Sequence, residues 1–159
     1  MNIAIARRQV EFDPKYVNRD SWELAEWRDQ KTDHIHQHVG KAGLKFVRRD
    51  MHLIRDEVAP DMAMACAQLV HLFGFDPSVV DLRMAKPSLL SQLSDTIITA
   101  NGYLAEYLEP IQHGEVGDES HVLAASQQLH AFAAGIADFY DFDLNLAHAR
   151  RLAQLATVR

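Results

Sequence analysis

Between residues 32 and 49 the chain reads TDHIHQHVGKAGLKFVRR, and two lines of side chains run through it at helical spacing. Ile35, Val39, Ala42 and Phe46 fall at i, i+4, i+7 and i+11, which keeps one face of an α-helix apolar. His34, His38, Lys41, Lys45 and Arg48 follow the same spacing one residue out of phase, about 100° around the axis. The pattern predicts a helix over 32–49, capped at Thr32 or Asp33, with an apolar face to bury and a basic face beside it. Gly40 and Gly43 each weaken that helix by up to about 1 kcal/mol relative to Ala, and their spacing lets a second helix come close.

Around this segment the same patterning predicts further helices. Residues 1–20 alternate briefly at Asn2 to Ala6 before charges and Asp13-Pro14 interrupt, which reads as an extended arm. Ser21 reads as the cap of a short helix to about Gln30, with Trp22 and Trp27 supplying core or interface contacts. Residues 51–57 read as a connection and Pro60 as the first turn of the next helix. The run 61–73 is apolar on nearly every side, as in a buried helix. Gly74 ends it, and Asp76 caps a helix in PSVVDLRMA that starts at Pro77. A helix over 93–108 is broken by Glu109-Pro110. After a polar loop at 111–120, a long helix spans about 119–140, and Asp143 opens the last one.

LVHLFGFDPSVVDLRM at 69–84 aligns with IADFYDFDLNLAHARR at 136–151 at a constant offset of 67, and Asp33-x-Ile35 aligns with Asp95-x-Ile97 at an offset of 62. This reads as two repeated units, about 32–84 and 93–151, within one domain over 21–159. The competing reading is a chance likeness between buried helices that end at an aromatic-Asp cap. Two helical hairpins with apolar faces bury them most simply against each other. The fold class expected is therefore all-α, a four-helix-bundle-like domain.

Composition narrows the partners. At 159 residues the chain suffices for one domain with a core, and 48% hydrophobic with 24% charged residues is ordinary for a globular protein. No apolar run nears the ~18 residues of a membrane span, and the amino terminus lacks the apolar core of a signal peptide, so no membrane partner and a cytoplasmic location are expected. Cys66 is the sole cysteine; it lies in the apolar run MAMACAQLV and reads as a buried thiol. A net charge of −6 argues against nucleic acid as a partner. Residues 1–55 carry 11 Lys and Arg against 8 Asp and Glu, whereas residues 56–159 carry 5 against 14. A positive region in an acidic chain suits an anion, such as a nucleotide, an acidic protein, or a second copy in a homo-oligomer.

Candidate chemistry concentrates on the basic line. His34 and His38 at i, i+4 have chelating spacing, with Asp33 and His36 nearby. The chain has no Glu-x-x-His or His-Glu-x-x-His motif, and Lys41 and Lys45 on the same line repel a cation. Nucleophile-elbow, Walker and dinucleotide motifs are absent. Five potential cations at helical spacing suit a phosphate-bearing ligand or an acidic partner helix, or else form a solvated face.

A helix with a polar line, a loop, an acidic turn, a buried helix ending in Gly74-Phe75-Asp76 and a further short helix together resemble the all-α nucleotide pyrophosphohydrolases of the MazG type, over about residues 22–84. That family hydrolyses nucleoside triphosphates with Mg²⁺ held by Glu-Glu-x-x-Glu on its first helix and Glu-x-x-Asp on its second. Here the first motif is replaced by Lys41-Ala42-Gly43-Leu44-Lys45, and Glu57 and Asp61 are four apart rather than three. The resemblance therefore implies a degenerate, non-catalytic bundle without a cofactor, binding an anion through His34, His38, Lys41, Lys45 and Arg48. The first alternative is an active Mg²⁺-dependent pyrophosphohydrolase using Glu57 and Asp61, with Glu26 or Asp29 in support. The second is a helical assembly protein with no small-molecule site.

Overall fold

Helix α1 (Leu24–Val47) absorbs both the short helix expected before residue 30 and the one expected from residue 32. The break between them does not form. Thr32, read as a cap, is fully buried, and its hydroxyl donates to the Arg28 carbonyl one turn back at 2.8 Å. A threonine that finds its acceptor inside the helix does not end it. The computed structural model describes Met1, Ala4, residues 24–81 and residues 85–157. The Ser21 cap and Trp22, and the expected arm apart from Met1 and Ala4, fall outside the described residues.

Helix α2 covers residues 51–73 in three parts: one α-turn (Met51–Leu53), a π-turn (Ile54–Val58) and a regular helix (Ala59–Phe73). The connection expected at 51–57 is thus helical. Asp50 starts it by accepting from the Leu53 N–H at 3.2 Å, and Ile54 and Val58 are buried. The widened turn closes with the Ala59 N–H donating to the Ile54 carbonyl, just before Pro60, which has no N–H to continue an α-ladder. Beyond Phe73, Gly74 turns the chain with φ +70°. Asp76 then accepts from the Ser78 N–H and caps α3 (Pro77–Val80), which is shorter than the PSVVDLRMA helix expected.

A 3₁₀ turn (Leu90–Leu93) leads into α4 (Ser94–Gln112). The break expected at Glu109-Pro110 is absent because Pro110 sits in the last helical turn. The carbonyl it leaves without a helical donor belongs to Glu106, which is exposed to water. Helix α5 (Glu119–Tyr140) is capped by Asp118, and α6 (Leu144–Thr157) by Asp143, which accepts from the Leu146 N–H. The ends of α2 and α5 close alike: Gly74 and Asp141 adopt positive φ, and the Phe75 and Phe142 N–H groups donate to the Val70 and Ala137 carbonyls.

Helix α5 packs most extensively, against α2 and α4; α1 lies beside α4 and α2, and α6 lies along α2. Helices α1 and α4 run antiparallel, Gly43 lying beside Ile97 and Gly40 beside Asn101. Ile35, Val39, Ala42 and Phe46 are all buried, with the Phe46 ring edge-on to Phe132 at 5.1 Å. The domain is all-α, with no strand among the described residues.

Candidate functional site

Four members of the basic line, His34, His38, Lys41 and Lys45, sit on α1, and Arg48 lies in the turn after it. The structure divides them. His34 and His38, their rings 4.4 Å apart, line a cleft of about 230 Å³ between α1, α2 and α6, together with Lys31, Asp61, Gln68 and Arg151. Met62 and Ala65 of buried α2 form part of its wall. Lys45 is engaged elsewhere, its Nζ donating to Glu57 Oε2 at 3.0 Å. Lys41 and Arg48 are exposed and have no ion-pair partner among the described residues.

Glu57 and Asp61 lie four residues apart on α2 and face cations. Arg151 grips Asp61 in a two-point fork, Nε to Oδ1 at 2.8 Å and Nη2 to Oδ2 at 3.2 Å, and its Nη2 is 3.9 Å from Glu57 Oε2. The sequence Lys45, Glu57, Arg151, Asp61 therefore alternates in sign, and the charges that would attract Mg²⁺ are already balanced. Of the supporting carboxylates, Asp29 accepts from the Tyr107 hydroxyl at 2.7 Å, and Glu26 is exposed on the first turn of α1. Among the described residues no group of three His, Cys, Asp or Glu is arranged to hold a metal ion.

Two features equip the cleft for an anion. The fork to Asp61 uses Arg151 Nε and Nη2, and Nη1 has no hydrogen-bond partner among the described residues, so a fixed guanidinium keeps donors to spare. Gln68 is 6% exposed overall and lines the cleft, and its amide makes no hydrogen bond among the described residues, which leaves it to face the cleft's solvent. Burial, and then the nearby Lys41 charge, hold His38 below the ordinary histidine range. Arg151 and Gln68 were not among the residues singled out from sequence. Arg151 did leave a signal: with Leu144, His148 and Leu155 it falls at i, i+4, i+7 and i+11, a cation on the docking stripe of α6.

A second cluster lies where α5 meets the chain after α3. His130 Nε2 is 3.4 Å from Asp81 Oδ1, beside a cleft of about 550 Å³, and His130 Nδ1 is buried without a partner among the described residues. His148 on α6 is 2% exposed. Burial lowers both histidines, His148 to about 4 from the ordinary 6.5. Both are therefore neutral at pH 7. The unfolded chain binds protons here that the folded chain refuses, so stability is undiminished above pH ~6.5 and falls as pH drops below it, for His148 down to about 4. The melting temperature is expected to drop over that range, and to drop less steeply in His148→Gln. An identical acid profile for the variant would remove His148 from this account. Cys66 is fully buried, its thiol donates to the Ser126 carbonyl at 3.2 Å, and burial pushes its pKa up, so it is no nucleophile.

No helix among the described residues is long and apolar enough to cross a membrane. No family model, curated protein or solved structure matches the chain.

Proposed function

We propose that the chain is a non-catalytic binding protein, MazG-like in outline, that takes a phosphate-bearing anion into the cleft between α1, α2 and α6. The observation that carries this reading is Arg151, held in place by Asp61 with donors left over, in a cleft shared with His34, His38 and the amide of Gln68. Charge-assisted bonds from a fixed guanidinium are the strongest polar contacts a protein offers an anion. A volume of about 230 Å³ falls below that of a pocket for a drug-sized molecule, so it suits a short phosphate chain, with any nucleoside left along the rim. A cytoplasmic setting belongs to the same proposal. The non-catalytic half rests on Lys45 and Arg151, which balance the carboxylates a Mg²⁺ enzyme would leave free.

Inorganic triphosphate and a nucleoside triphosphate are expected to raise the melting temperature. At a hundredfold excess over Kd the gain is about 2.7 kcal/mol, roughly 5–10 °C for a chain of this size. No pyrophosphate is expected to appear when Mg²⁺ is added. Absence of any thermal shift would remove the binding reading, and pyrophosphate release that depends on Glu57 and Asp61 would replace it with the Mg²⁺-dependent hydrolase.

A further inference from the structure

Eight large apolar side chains are exposed among the described residues, and four of them, Val47, Met51, Leu89 and Ile98, line hollows where the second half of α1 meets the first half of α4, with Leu44 on the same side of α1 one turn before Val47. Leu44 is 54% exposed, Val47 69% and Ile98 67%, well beyond what a solvated helix face needs. Gly40 and Gly43 keep the seam between the helices shallow, and a Cβ placed on Gly102 would meet nothing within 4 Å. This face lies on the opposite side of α1 from the anion cleft.

The charges flanking the seam differ in sign. On the α1 side stand Lys41 and Arg48; on α4, Asp95, Glu106 and Glu109 share the helical stripe of Ile98 and Gly102. Lys41, Arg48, Asp95 and Glu109 have no ion-pair partner among the described residues, and Glu106 meets His121 Nε2 at 3.5 Å while staying 59% exposed. The acidic group on the α1 flank is Asp33, two turns before Lys41, whose carboxylate accepts from Gln37.

We infer that this face binds a second copy of the chain. A twofold axis through the seam exchanges the places of α1 and α4. That axis runs along the helices and keeps their direction, and because the two run antiparallel within one chain, it lays α1 of each copy antiparallel along α4 of the other. Leu44 and Ile98 stand nearly level across the groove, so Leu44 of one copy meets Ile98 of the other. Arg48 then approaches Asp95, and Lys41 faces the stretch of acidic stripe between Asp95 and Glu106. The contact is isologous: each copy gives a basic flank and receives it on an acidic one, around an apolar centre.

Sedimentation velocity at micromolar concentration is expected to show a dimer. Leu44→Glu combined with Ile98→Glu is expected to give a monomer with unchanged helical content, since both positions face water in the single chain. Lys41→Glu with Arg48→Glu, and separately Asp95→Lys with Glu106→Lys, are each expected to weaken self-association at least about tenfold. Mixing these two charge-swapped chains is expected to restore a dimer, because every flank then meets its opposite. A monomeric parent chain, a dimer indifferent to the glutamates, or a failure of the mixed chains to pair would each overturn the inference. The anion cleft is read separately by thermal shift, so either result leaves the other to stand or fall by itself.

Discussion

Replacing Phe132 by Ala is expected to remove about 3–5 kcal/mol of folding stability, the range for deleting a buried aromatic ring. Phe132 is 0% exposed at the middle of α5, the helix that packs most extensively against both α2 and α4. Its ring meets the edge of Phe46, tying α5 to the apolar stripe of α1 as well. The surroundings offer little to fill the hole: Leu129, Ala133 and Ile136 are themselves fully buried. A chain of this size is stable by only about 5–15 kcal/mol, so the variant loses a large share of the total. The check is a urea midpoint at constant slope. Phe132→Leu, which keeps most of the volume, is expected to retain most of the stability; an Ala variant losing no more than the Leu variant would show that the core collapses around the gap.

That packing follows from features the sequence displays. The Ile35, Val39, Ala42, Phe46 stripe is legible because a helix that buries one face repeats its apolar positions, and all four are buried. Gly74 with positive φ and the capping carboxylates Asp76 and Asp143 are legible for a similar reason, each terminus needing a residue of special shape or a side-chain acceptor. The errors came where local signals are ambiguous. Thr32 serves equally as a cap or as a back-bonded helical residue, and which it does depends on burial against other helices. Pro110 ends a helix only if the carbonyl it strands has nowhere to go, and Glu106 faces water. Residues 54–58 form a helical turn of unusual width, for which the simple 3.6-residue period gives no signature. The candidate site was legible in half. The basic line on α1 follows from spacing, but its division into a cleft pair, an ion-paired Lys45 and an exposed Lys41 depends on α2 and α6. Arg151 meets Asp61 across 90 residues of sequence, and no local pattern announces such a pairing.

The Arg151 fork is where fold and proposed function make opposite demands, and its two partners are expected to respond with opposite signs. Arg151→Met removes a cation whose side chain is 18% exposed and leaves Asp61, 26% exposed, facing the cleft without its main partner. A cost of about 1–3 kcal/mol is expected, below that of a fully buried pair because water reaches both groups. Asp61→Asn leaves the arginine charged, with a single amide oxygen to accept from it in place of two carboxylate oxygens. With both changes made, the loss is expected to fall short of the sum of the single losses by at least about 0.5 kcal/mol, as for residues in direct contact. Ligand response separates a strut from a site. Arg151→Met is expected to abolish the thermal shift produced by inorganic triphosphate, whereas Asp61→Asn, by removing a negative charge beside the guanidinium, is expected to enlarge it at equal ligand concentration. If the pair merely fastens α6 to α2, both variants lower the melting temperature and leave the triphosphate shift as it was. Divergence of the two variants in binding, together with their coupling in stability, is the combination that a purely mechanical role of Arg151 does not produce.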